Sequence, residues 1–578
     1  MLDTPRIYFR GQITWDPMVT NNYDQLYDLD TGKPKLSGGT VADYREQARQ
    51  TIVQGNWNVH GTHRSTFVET TVSGVELGRG PRVDDPLVGV PVTFAGMLVD
   101  LDPYGATSSQ LFFDSVSVGI DGGCQIRALR NGPLVARRIN FARNPGYRVI
   151  AGVASVVWQG SFANGDRLAV RPHRSPVLDA LAELLETGRA QGLTLRFNAY
   201  RTAYYGTPQP TDQDPENLAA QVAAGGFHPN PARGVMVGVI GPWFEGEPPS
   251  VPGDRVLARA PRSPVSTAFA KVAGNRLTID LANSVPETGF DLVKADLGPL
   301  DVVARTAGGD LTVATLLYDR YGTAAYNATS GLVDLPLDEA GAAAVAGGDL
   351  EVRAASGAPL LREQPLTVCA DQANVYLEEG EGAAVRLRVF ERGARPSSPA
   401  SVMLVEVGGG TSLPSSVVTD AAGEATVPVT GATAGTWTWI AVPWRGQPPP
   451  PPANLVPDQN EYFTIRVTPA DAAIAALDPT WQNVYDNVLR DWEALAPCMD
   501  NWLRLGDEAQ CRAYAPLIKA LTSRARFDDF RYMPVTRDLS RGQRALLHRW
   551  CDTVTPAGPQ PAATAAPRPR RDPFGRGF

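Results

Sequence analysis

The chain is poor in the residues that most often announce chemistry: five cysteines and five histidines in 578 residues. The cysteines, Cys124, Cys369, Cys498, Cys511 and Cys551, are odd in number and scattered, with no C-x-x-C pair, so no disulfide framework is encoded. A Cys498–Cys511 bridge stays open if the protein is exported by a signal-independent route. No run of eighteen apolar residues occurs, which excludes a membrane-spanning helix. The opening "MLDTPRIYFRGQITWDP" lacks a basic region followed by an apolar run and reads as mature protein, so a cytoplasmic location is the expectation. Charged residues are only 20%, and the net charge of -8 is spread without a basic cluster in the body of the chain, which argues against a nucleic-acid surface. There is no G-x-S-x-G elbow, P-loop, G-x-G-x-x-G, H-E-x-x-H or EF-hand loop.

What the chain does have is 43% hydrophobic residues with 56 glycines and 49 prolines, a balance that favours strands and ordered turns over helices. Its length implies three to five domains. The expected fold is mainly β and multidomain: a large β-rich N-terminal region, an Ig-like β-sandwich and a small C-terminal α-helical domain. Residues 1–248 form the first unit, with alternating strands such as "RIYFRGQITW" and one helix in 175–192, capped by Ser175 with Pro176 at its first position. Residues 249–366 repeat this character as a second β domain or the second half of the first. Residues 367–468 are spaced as a sandwich, with Trp437, Trp439 and Trp444 as candidate exposed aromatics whose alternation sends at least one set inward.

After residue 469 the apolar period lengthens. Trp481, Val484, Tyr485, Val488, Leu489, Trp492 and Leu495 share a helical face; a second helix is expected over 511–525. A third begins near Ser540, where Gln543 completes a capping box, and buries Leu546, Leu547 and Trp550. This helical domain covers 469–553, and 554–578 is a Pro/Arg-rich tail expected to be disordered.

Two constellations are candidate metal sites. "GNWNVHGTHRSTF" (55–67) places His60 and His63 at H-x-x-H spacing, able to approach one metal or haem iron but needing distant ligands such as His173 to complete a set. Its structural reading is a glycine-shaped loop anchored by Trp57 and Phe67. "VDLDPYG" (99–105) sets Asp100 and Asp102 two apart at a strand end, with Asp114 beyond, which suits a hard cation or an Asx turn before Pro103. Met533 in "RYMPVTRDLS" resembles an axial methionine context, yet C-x-x-C-H is absent, so it is read as a core or interface contact. No cofactor is expected, with haem or iron as the alternative.

Four segments carry a family resemblance: "PRIYFRG" (5–11), "TNNYD" (20–24), "DLDPYGATSSQLFFD" (100–114) and "LTIDLANSVPETG" (277–289). Together they resemble the β-rich N-terminal region of iminophenylpyruvate dimer synthase and chromopyrrolate synthase, enzymes that couple two tryptophan-derived imines. The resemblance spans about residues 1–365. It implies a place in secondary metabolism, but those enzymes continue into a ferritin-like helical region with Glu-x-x-His ligands that this chain lacks. Three readings follow. The first is a non-catalytic scaffold or partner subunit, joined by self-association or by a protein partner such as a ferritin-like protein. The second is an oxidative or imine-coupling enzyme. The third is a carbohydrate- or surface-binding protein.

Overall fold

The computed structural model describes residues 2–14, 26–28, 31, 33–36, 39–51, 64–78, 80–100, 109–119, 125–129, 132–140, 154–165, 167–172, 174–202, 233–288, 293–407 and 413–554. Its first unit is a closed antiparallel barrel of eight strands: β1 (Arg6–Thr14), β2 (Arg64–Glu76), β3 (Val92–Asp100), β4 (Ser109–Val118), β5 (Pro133–Asn140), β6 (Ala154–Ala163), β7 (Gly192–Thr202) and β8 (Arg233–Trp243). Each pairs with the next, and β8 returns to β1 with Ile7 opposite Ile240. Closure removes the edges that an open sheet of this length would expose. The strand Ile126–Leu129 adds to the sheet by pairing antiparallel with β4.

Alternation along β1 sends Ile7, Phe9 and Ile13 into the bore. There Phe67 meets Phe94 and Phe197 with ring centroids 4.9 and 5.3 Å apart. A Cβ at Gly238 would stand 2.2 Å from Phe9 Cζ, so only glycine lets that ring lie flat on β8. The helix Pro176–Glu186 buries Val177, Leu178, Leu181 and Leu185 in the same core, its first turn capped by Ser175, and the chain leaves through Gly188 at φ 68°. Phe67 is a partly buried residue of β2 packed against this core, and the loop it is expected to anchor lies outside the described residues.

A second antiparallel sheet of eight strands runs between Arg255 and Gln364, with its own core around Leu257, Ile279, Val302 and Val352. It carries a short helix, Glu339–Gly347, capped by Asp338. Between Leu366 and Thr468, sheets of three and five strands pack face to face. Trp437 and Trp439, two residues apart on one strand, face the same way into that core and are the inward set that alternation requires, while Trp444, of opposite parity, is half-buried.

The C-terminal helices follow the periodicity closely. Trp481–Leu495 is helical, with a π-type turn over Tyr485–Leu489, and buries Val484, Val488, Leu489, Trp492 and Leu495. The expected second helix is split into Glu508–Ala513 and Ala515–Leu521, since Pro516 has no N–H to continue a ladder. Arg541–Val554 starts at the capping box: Gln543 N–H donates to Ser540 Oγ at 3.1 Å, and Ser540 N–H donates to Gln543 Oε1 at 3.2 Å.

One element departs from expectation. The N-terminal region contains a second helix, Val41–Thr51, which packs not on the barrel but on the C-terminal helices, so Leu26, Tyr27 and Tyr44 belong to the helical core. The helix shows little apolar periodicity, but Thr40 and Asp43 cap it reciprocally, with Thr40 N–H to Asp43 Oδ2 at 2.9 Å and Asp43 N–H to Thr40 Oγ1 at 3.1 Å.

Buried polar contacts bind the units. Between barrel and second sheet, Arg6 reaches Asp334 and Arg196 lies between Asp254 and Asp280. Gln110 donates to Tyr376 OH in the sandwich at 2.7 Å, and the Arg537 guanidinium of the helical region lies 3.4 Å from the Phe112 ring centroid. Among the described residues no helix is long and apolar enough to cross a membrane.

Candidate functional site

The residues singled out for metal chemistry fall largely beyond the described structure. His60, His63, His173, Trp57 and Asp102 lie outside the described residues, and of Asp100 only the backbone is described, as the last residue of β3. Asp114 is exposed on β4. Among the described residues no group of three or more His, Cys, Asp or Glu side chains could hold a metal ion. The one described histidine, His548, is tied through Nε2 to Thr522 Oγ1 at 2.9 Å, and burial lowers its pKa.

The described cysteines are inert by the same physics. Cys369, Cys511 and Cys551 are buried thiols outside any disulfide. Burial pushes the Cys511 and Cys551 thiols up to about 12, which withholds the thiolate needed for attack. Of the Cys498–Cys511 bridge left open by the sequence, the Cys498 side chain lies outside the described residues.

An apolar concavity lies in the helical region. A cleft with about 810 Å³ of free space, its open mouth included, runs between Trp481–Leu495, Ala515–Leu521 and the segment 533–539. Trp492, Met499, Leu521, Met533 and Leu547 line it. Trp502, Tyr514 and Leu517 stand at its mouth with 46%, 46% and 43% of their surface exposed, an unusual concentration of large apolar side chains in water.

The wall is held rigid from behind. Trp492 Nε1–H donates to Asp538 at 2.9 Å; the same carboxylate accepts from Thr536 Oγ1 at 2.6 Å and from Tyr27 OH at 3.0 Å. Arg466 of the sandwich donates to Tyr27 OH at 2.8 Å. Burial pushes the Tyr27 hydroxyl far above its ordinary pKa, so it stays a donor at any physiological pH. Three parts of the chain distant in sequence thus fix one tryptophan of the cleft. The sequence marked Trp492 and Met533, but Tyr27 and Arg466 carry no local signal of their roles.

A second, polar crevice lies where barrel, second sheet and sandwich meet. Its buried charges are consumed internally: Arg196 by Asp254 and Asp280, and Lys271 by Asp3 and Glu247, each at 2.6 Å. It reads as a structural seam.

No family model matches the chain. It is 28% identical over 369 residues to the 2-imino-3-(indol-3-yl)propanoate dimerase of Chromobacterium violaceum, a match covering 56% of this chain and 33% of that protein. It is 24% identical over 426 residues to the dichlorochromopyrrolate synthase of Lentzea aerocolonigenes, covering 68% of this chain and 36% of that protein. The chain is a partial relative of these enzymes. It spans about a third of the length of the curated relatives it matches. Among solved structures, the D0-D1 domain of intimin overlaps at a TM-score of 0.15 with 15% identity, over 31% of this chain and 90% of that one. Native Escherichia coli alpha-2-macroglobulin overlaps at 0.13 with 12% identity, over 71% of this chain and 30% of that one; overlaps this slight carry no argument.

Proposed function

We propose that this protein is a non-catalytic scaffold or partner subunit in secondary metabolism, and that the apolar cleft of its helical region docks an amphipathic helix of a partner protein. The observation that carries this reading is the cleft: a rigid apolar groove whose mouth exposes Trp502, Tyr514 and Leu517. Grooves of this kind take the i, i+3, i+4, i+7 anchors of a helix. The partial relationship supports a place in secondary metabolism, the curated relatives being about three times as long as the stretch matched; the partner we propose is a helical protein of the ferritin-like type. The Ig-like sandwich then serves as a spacer, and a cytoplasmic location belongs to the same proposal.

The test is size-exclusion chromatography with light scattering on the full chain, alone and co-expressed with a helical protein encoded beside it. A stable complex that Leu517→Asp and Trp502→Ala abolish, with thermal stability retained, supports the reading. Free monomer under both conditions overturns it, and a homo-oligomer sensitive to the same changes replaces the partner with a second copy.

The second reading is an oxidative or imine-coupling enzyme, favoured by the relatives' names alone. A Soret band or stoichiometric iron in the purified protein would move the assignment there. The carbohydrate reading loses its aromatic platform, because Trp437 and Trp439 are interior.

A further inference from the structure

The "PRIYFRG" strand presents two arginines with opposite fates. Arg6 is fully buried and pinned by Asp334, Thr278 and Tyr8. Arg10, on the same outer face one turn of the pleat beyond Tyr8, is exposed, and among the described residues nothing pairs with it.

Arg10 stands at the centre of a groove on the outer wall of the barrel, enclosing about 700 Å³ with its open mouth. The register builds it. Arg10 lies opposite Val237 on one side and Thr71 on the other, and Gln12 opposite Val235 and Val68. Glu69 and Thr70 therefore face the single residue Gly11, a β-bulge. Thr70 Oγ1 fastens the bulge to Gln12 O at 3.3 Å and Val68 O at 3.1 Å. A Cβ on Gly11 would stand 2.2 Å from Thr70 Oγ1, so the motif's glycine is what admits the bulge. Glu69 adopts φ 48°, a backbone region that non-glycine residues seldom occupy, and lines the groove beside Arg10. From the second sheet's side, Asn327 closes the rim. Gln12 Oε1 is buried here with no hydrogen-bond partner, an orphaned acceptor at the groove.

We propose that this groove binds a small zwitterion, an α-amino acid with an apolar side chain. Arg10 offers a planar guanidinium fork that matches a carboxylate. Glu69 offers the counter-charge for an ammonium, and the Asn327 side-chain carbonyl takes a further N–H donor. A ligand of one sign would gain one end and be repelled by the other, so both charges are required. Val235, cross-strand from Gln12 and half-buried, gives the side chain an apolar floor.

The test uses the intact protein and isothermal titration with L-leucine, 4-methylpentanoate, which lacks the ammonium, and 3-methylbutylamine, which lacks the carboxylate. Saturable binding of L-leucine is expected, weakened about tenfold or more by Arg10→Met and by Glu69→Gln, with neither analogue binding comparably. Both side chains are exposed, so the variants should keep the parent melting temperature, checked by scanning calorimetry. Absence of saturable binding by all three probes overturns the proposal, as does equal binding by an analogue or by either variant. The reading stands apart from helix docking, because the groove and the apolar cleft share no residue.

Discussion

Arg6 shows how much of this architecture rests on single side chains. Its guanidinium leaves water entirely and is repaid by Asp334 at 2.8 Å, Thr278 Oγ1 at 3.0 Å and the Leu2 carbonyl. Removing one partner of a buried pair costs more than the pair contributes, because the other is left without solvent or counter-charge. Asp334 keeps 27% of its side-chain surface exposed, which moderates that cost. Arg6→Met should therefore destabilise by about 3 kcal/mol in urea unfolding. A double-mutant cycle with Asp334→Asn should return a coupling above about 1 kcal/mol; a coupling near zero would mean that packing, not pairing, holds Arg6. The glycine that ends this motif was visible in the sequence as a letter, but its reason, Thr70 pressing against it across the bulge, was not.

At the scale of elements, the sequence was most legible where periodicity and caps coincide. The helix beginning after Ser540 follows its capping box, and Leu546, Leu547 and Trp550 are buried as their spacing required. Ser540→Ala removes the acceptor for Gln543 N–H and should cost about 1 kcal/mol, read as a shift of the denaturation midpoint without change of slope. The helix Val41–Thr51 was not legible in the same way. It offers one buried aromatic, Tyr44, and its apolar stripe is too thin to register, although the Thr40–Asp43 box was there to be read. The barrel strands were legible as strands, since alternation is local. Their closure was not: β4 pairs with β5 through Gln110 opposite Val135, which no alternation pattern encodes.

At the scale of the whole molecule, the N-terminal excursion, the sandwich and the C-terminal helices meet around Asp538 and Asp491. Burial raises the Asp491 carboxyl to about 7, with Asp538 adding like charge and Lys33, Gln543 and Arg490 opposing. The folded pKa lies above the unfolded one, so the folded state holds the extra proton. Its contribution is fully present below about pH 4 and is lost as pH rises to about 7, at up to about 1.4 kcal/mol per pH unit. Asp491→Asn keeps a partner for Gln543 and removes that loss. Its melting temperature should exceed the parent's increasingly from pH 4 to pH 7.5, and a constant offset would refute the raised carboxyl.

The sequence by itself determined a mainly β chain with helices at its C-terminal end, the caps of those helices and the partial kinship carried by "PRIYFRG", because propensity, periodicity and short motifs are local properties. Only the tertiary structure decided that the first eight strands close, that residues 26–51 join the helical core, that Trp437 and Trp439 turn inward, and that Arg10 is left open while Arg6 is buried. Those outcomes depend on which distant surfaces meet, and on whether a buried charge finds its partner across hundreds of residues.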